Sequence, residues 1–129
     1  MADKQLINPP GSEKSYQRFQ FSQAVKTGNL LFVSGQVGRS PQGEIPDDIE
    51  GQTKIALENL RSVIEHAGGT LDDVVELHTF HTDMNEMAGM MKAKEEFFPK
   101  DYPAWTAIGC TALAAPQFKL EVKAIAVID

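Results

Sequence analysis

Two stretches of this chain are apolar on both sides of an extended backbone, and that property constrains the fold more than any other. Side chains alternate across a strand, so residues two apart share a face. In Leu30-Leu31-Phe32-Val33, Leu31 and Val33 alternate with Leu30 and Phe32, and all four are apolar. Near the C-terminus Leu120, Val122 and Ala124 are opposed by Ile125 and Val127 in the same way. A sheet built from such strands has two faces to cover.

The rest of the pattern offers helices for only one of them. Gln20 to Lys26 and Asn29 to Gly38 are strand-like runs joined at Thr27-Gly28, a hairpin signal. After Ser40-Pro41-Gln42-Gly43, Asp47-Asp48 is placed to cap a helix in which Ile49, Thr53, Ala56, Leu60, Val63, Ile64 and Ala67 recur at helical spacing. Gly68-Gly69 then stops it. Val74 to Asp83 predicts a strand, Asn85 a cap for a second helix through Phe97, and Pro99 its end. Strands from about Ala104 to Thr111 and Phe118 to Ile128 complete the order ββαβαββ. That order predicts an α+β fold, a mixed sheet with two helices on one face. The second apolar face then calls for a partner subunit.

At 129 residues and 42% hydrophobic, the chain is expected to be a single domain, 1–129, with a polar N-terminal arm at 1–18. The arm has no signal-type apolar segment, and no run approaches the ~20 residues of a membrane span. No membrane partner and a cytoplasmic location are expected. The lone Cys110 has no partner for an internal disulfide, which agrees with a reducing compartment. A net charge of -6 disfavours nucleic acid as a partner, despite local cations such as Lys92 and Lys94.

Five segments carry a resemblance to a known family: Phe21 to Val25, Leu30 to Gln36, Gln52 to Ala67 around Ala56-Leu57-Glu58-Asn59-Leu60, Tyr102-Pro103-Ala104, and Glu121 to Ala126. In sequence, order and spacing they resemble the RidA (YjgF, L-PSP endoribonuclease-like) family over nearly the whole chain. Phe80-His81-Thr82-Asp83 together with Pro103-x-Trp105-Thr106-Ala107 resembles a divergent, YjgH-type branch lacking the family's substrate-binding arginine. The resemblance implies a chorismate-mutase-like fold, a homotrimer with a barrel-like core, no cofactor, and a small-molecule ligand in clefts between subunits. It also implies hydrolytic deamination of imines and enamines such as 2-aminoacrylate, with a carboxylate clamped by arginine.

Trp105 stands where that arginine is expected. Indole offers one N–H and a large apolar face, and it supplies neither the charge nor the planar fork of a guanidinium. Packing at a subunit contact and stacking on a ligand are equally open for it. By the same resemblance Ser34 and Gly35 line the cleft and Glu121 handles the attacking water, while Phe21 replaces a tyrosine and Met91 a polar residue of the second helix. The bland alternatives are a close chain approach at Gly35 and a solvated carboxylate at Glu121. Phe21, Met91 and Trp105 together predict an unusually apolar cleft.

Other constellations carry less. His78 and His81 lie three apart on a strand and so point to opposite faces, which argues against a shared metal ion. His81 is a candidate acid or base of the cleft, weighed against a hydrogen-bonded histidine at a strand end. Cys110 reads as an inert thiol, and Met84, Met87, Met90 and Met91 as packing residues. No phosphate loop, Ser-His-Asp order or dinucleotide fingerprint is present.

Overall fold

The computed structural model describes residues 3–129. Six strands form one sheet: β1 (Gln5–Ile7), β2 (Ala24–Thr27), β3 (Leu30–Val37), β4 (Val74–His81), β5 (Ala104–Gly109) and β6 (Leu120–Val127), in the order β1-β2-β3-β6-β4-β5. The β4–β5 pair is parallel and every other pair antiparallel, so the sheet is mixed. Three helices accompany it: α1 (Glu13–Phe19), α2 (Ile49–His66) and α3 (Met87–Phe97).

The sheet has one covered face. Leu31 and Val33 of β3, Leu77 of β4, and Leu120, Val122, Ala124 and Ala126 of β6 are all buried there. Against them lies the stripe Ala56, Leu57, Leu60, Val63 and Ile64 of α2, with Met90 of α3 beside it. The Asp48 carboxylate accepts from the Gly51 N–H at 3.2 Å and caps α2. At its other end Gly68, with φ +99°, takes the left-handed turn that a side chain resists. On the opposite face Leu30 and Phe32 remain 38% and 43% exposed, and Ile108 46%, so the described residues cover them only in part.

The structure departs from the sequence reading in two places. Within the described residues of the polar arm, which leave out 1 and 2, β1 pairs with β2, Ile7 is buried opposite Ala24, and α1 follows. Each element is only 3 or 7 residues long, too short for periodicity to register. The α3 entry also differs, because the Asp83 side chain accepts from the Asn85 N–H at 2.9 Å and caps a 3₁₀ turn, Met84–Glu86, that precedes the helix. Asn85 is inside that turn instead of capping it.

Candidate functional site

Between β3 and β6 the ladder steps from Val33 opposite Ala124 to Gln36 opposite Val122, so Ser34 and Gly35 together face a single residue. This β-bulge re-aims the local backbone. Ser34 is pinned on both sides: its N–H donates to the Gln23 carbonyl at 2.8 Å and its hydroxyl to the Ser22 carbonyl at 2.6 Å. The Gln36 amide donates to the Gln23 side-chain oxygen at 3.0 Å and to the Ser34 carbonyl at 3.1 Å, bracing the bulge from the core side.

Glu121 projects onto the open face and lies against this bulge. A Cβ added at Gly35 would fall 2.6 Å from the Glu121 carboxyl carbon, so the carboxyl occupies space that only glycine leaves free. Burial raises the Glu121 pKa above its ordinary value, and the nearby Lys123 ammonium opposes that rise without cancelling it. Around it runs a groove of about 1000 Å³ whose walls include Phe19, Phe21, Phe32, Phe80 and Phe118. Phe21 reaches this wall because Gln20, at φ 63°, ends α1 in a left-handed turn. Through Ser15 and Phe19 the N-terminal helix also forms part of the groove.

Trp105 is on the other side of the sheet. It pairs with Leu77, whose side chain is buried beneath the helices, so both point toward α3. The indole N–H donates to the Thr79 hydroxyl at 2.9 Å, and that hydroxyl is 2.7 Å from His81 Nε2. An indole N–H can only donate, so the hydroxyl proton is left for Nε2, which accepts it when the ring is neutral. Burial lowers the His81 pKa and favours that neutral ring. His81 is 1% exposed and lines neither cavity.

Met91 joins Trp105 in a second cavity of about 450 Å³, with Lys94, Glu95, Phe98, Tyr102 and Pro103. The Lys94 ammonium stands 4.5 Å from the Trp105 ring centre, 5.7 Å from that of Phe98 and 5.8 Å from that of Tyr102. The expected site residues therefore fall into two sets, Phe21, Ser34, Gly35 and Glu121 on the open face and Met91 and Trp105 on the helix side. Lys94 went unread as a site residue, although 91, 94 and 98 have the spacing of one helix face leading into its C-cap. Thr79 carried no sequence signal, since its role depends on a partner 26 residues away.

His78 and His81 point apart: the first lies 3.6 Å from the Glu76 carboxylate and the second is bonded to Thr79. Among the described residues no group of three or more His, Cys, Asp or Glu is placed to hold a metal ion, and no helix is long and apolar enough to cross a membrane.

The profile of the family described as Endoribonuclease L-PSP matches residues 13–128. The chain belongs to this family. One L-PSP relative, the RutC family protein YjgH of Escherichia coli (strain K12), is 39% identical over 124 residues, 95% of either chain. A solved structure of a protein YjgH superposes with a TM-score of 0.86 at 39% identity, covering 97% of this chain and 96% of that one. Escherichia coli TdcF, described as a candidate reactive intermediate deaminase, is 34% identical over 110 residues, 83% of this chain and 85% of its own. Its crystal structure with bound serine superposes with a TM-score of 0.80, covering 84% of this chain and 88% of that one. The α+β fold with its mixed sheet is thus the L-PSP fold.

Proposed function

We propose that the protein is a cytoplasmic, single-domain homotrimer with ligand clefts between subunits, and that Glu121 promotes addition of water to a small, largely apolar metabolite bearing a C=N bond. The observation that carries this reading is the Glu121 carboxyl held against Gly35 in an aromatic-walled groove, with its pKa raised by burial. A carboxylate whose pKa moves toward neutrality is a better general base at physiological pH. Glu121 accepts a proton from water as the oxygen bonds to the imine carbon. That proton then goes to the nitrogen to give a carbinolamine; Glu121 next takes the hydroxyl proton and passes it to the nitrogen as the C–N bond breaks, so that a carbonyl and ammonia leave.

The trimer gives the two sets of site residues one purpose. Trp105 and Glu121 project from opposite faces of the same sheet, so one chain does not close a single cleft around both. A neighbour packed on the open face at Leu30, Phe32 and Ile108 covers apolar surface and can bring its own β5 edge to the groove. The likeness to TdcF supports the deaminase reading.

Trp105 changes the substrate class. A lost charge-assisted contact to a desolvated carboxylate costs about 2–5 kcal/mol, a large share of the binding energy of a small acid. Family-like turnover of 2-aminoacrylate is therefore not expected. A second reading, a metabolite-binding trimer without catalysis, draws on the internally bonded indole and the apolar walls. Ribonuclease activity is least favoured, because a net charge of -6 opposes phosphate neutralisation.

The deciding experiment generates imines of several amino acids and amines enzymatically and follows their hydrolysis. Turnover of apolar imines that drops by roughly 10²–10⁴-fold in Glu121→Gln supports the deaminase. Ligand binding without acceleration of any imine favours the binding protein, and rapid hydrolysis of 2-aminoacrylate overturns the inference drawn from Trp105.

A further inference from the structure

The Trp105 cavity is lined by a cation, Lys94, and by the exposed carboxylate of Glu95, yet the two form no ion pair. Lys94 is partly buried, and among the described residues no carboxylate lies within ion-pair distance of its ammonium. Lys54, Lys92 and Lys119 each have a carboxylate within 3.6 Å, whereas Lys94 does not. Lys94 has instead the rings of Phe98, Tyr102 and Trp105 around it. Burial lowers its pKa, and no acidic neighbour contributes to the shift in the other direction. A desolvated ammonium beside an open cavity of about 450 Å³ is poised to receive an anion.

We propose that this cavity binds a monoanionic carboxylate with a flat, apolar body, the carboxylate meeting Lys94 and the body stacking on the Trp105 ring. The charge comes from α3, one helix away from the strand that carries Trp105. An ammonium is a point charge on a flexible stem and sets no bidentate geometry, so the apolar body has to supply the orientation. Two- and three-carbon acids lack that body. The wall of Met91 and Phe98 is adaptable and apolar, which suits a ring or a branched chain. This inference deepens the cleft reading and rests on it only for the cavity's facing a ligand; catalysis by Glu121 plays no part in it.

Trp105 is the chain's one tryptophan, so intrinsic fluorescence reports on this cavity directly. The full-length protein is titrated with phenylacetate, phenylacetamide and acetate, and the same series is run on Lys94→Gln and Lys94→Arg. Saturable quenching by phenylacetate is expected, at least about ten-fold tighter than by phenylacetamide, with acetate weaker still. In Lys94→Gln the acid and the amide should bind within about three-fold of each other, and Lys94→Arg should restore the preference. Thermal melts of the variants separate loss of the site from loss of the fold. Equal binding of acid and amide by the unaltered protein overturns the proposal, as does an undiminished acid preference in a folded Lys94→Gln. Because no turnover is measured, failure here leaves the Glu121 reading intact, and loss of imine hydrolysis in Glu121→Gln leaves this one intact.

Discussion

The groove around Glu121 and the cavity around Trp105 lie on opposite faces of one sheet and solve the placement of polar groups differently. In the groove, the backbone does the positioning. A β-bulge at Ser34-Gly35 makes room for a carboxyl, which remains partly desolvated and without a tight ion pair. In the cavity, side chains do it: Trp105, Thr79 and His81 form a closed hydrogen-bond chain, and aromatic rings surround Lys94. Unpaired charge marks both regions. The carboxyl of one is shifted toward its neutral form by burial, and so is the ammonium of the other.

The contrast can be broken from the cavity side first. Thr79→Val removes the hydroxyl shared by the Trp105 N–H and His81 Nε2, and leaves both without that partner. A loss of about 2–4 kcal/mol is expected in chemical denaturation, accompanied by a change in Trp105 fluorescence. Glu121-dependent hydrolysis should survive in the folded fraction if the two regions are separately built.

Gly35→Ala tests the groove. The new Cβ would lie within 2.9 Å of the Glu121 side chain, so the carboxyl has to move or the bulge has to open. The expected cost is about 1–3 kcal/mol, with the catalytic loss exceeding what the stability change explains and Trp105 fluorescence unchanged. An alanine variant with unaltered turnover would show that the close approach at Gly35 is only packing.

The smallest effect concerns pH. The folded-state pKa of Glu121 is raised, so native protein holds the proton more tightly than unfolded chain does. That advantage is present below about 4.5, the ordinary glutamate value, and is lost as pH rises through the folded pKa. Glu121→Gln should therefore gain stability relative to the unaltered protein between acid and neutral pH, measured by melts across that range. His81 gives the opposite slope. Its pKa is lowered, so the fold loses stability as pH falls below about 6.5.

Much of the scaffold was legible in the sequence because its signals are local. The Ile49 to Ala67 periodicity and the Asp48 cap predicted α2, and the two-sided apolar pattern at Leu30 to Val33 predicted a sheet face left open within the chain. The N-terminal arm was not legible as structure: three residues of strand and a seven-residue helix owe their order to pairing with β2 and to the groove wall. Resemblance to the family pointed to Glu121, Ser34 and Gly35 as neighbours and to Trp105 as the anomaly, but strand alternation alone does not reveal the facing of residues on separate strands.

The sequence by itself determined the elements that packing periodicity encodes and the family, since each is a property of residue type and spacing. Only the tertiary structure decided where the candidate site residues point. Pairing β5 parallel to β4 turns Trp105 beneath the helices and into Thr79, while the bulge opposite Lys123 turns Gly35 toward Glu121 on the other face. Which face a side chain serves depends on the register between strands far apart in sequence, and register is set by the assembled sheet.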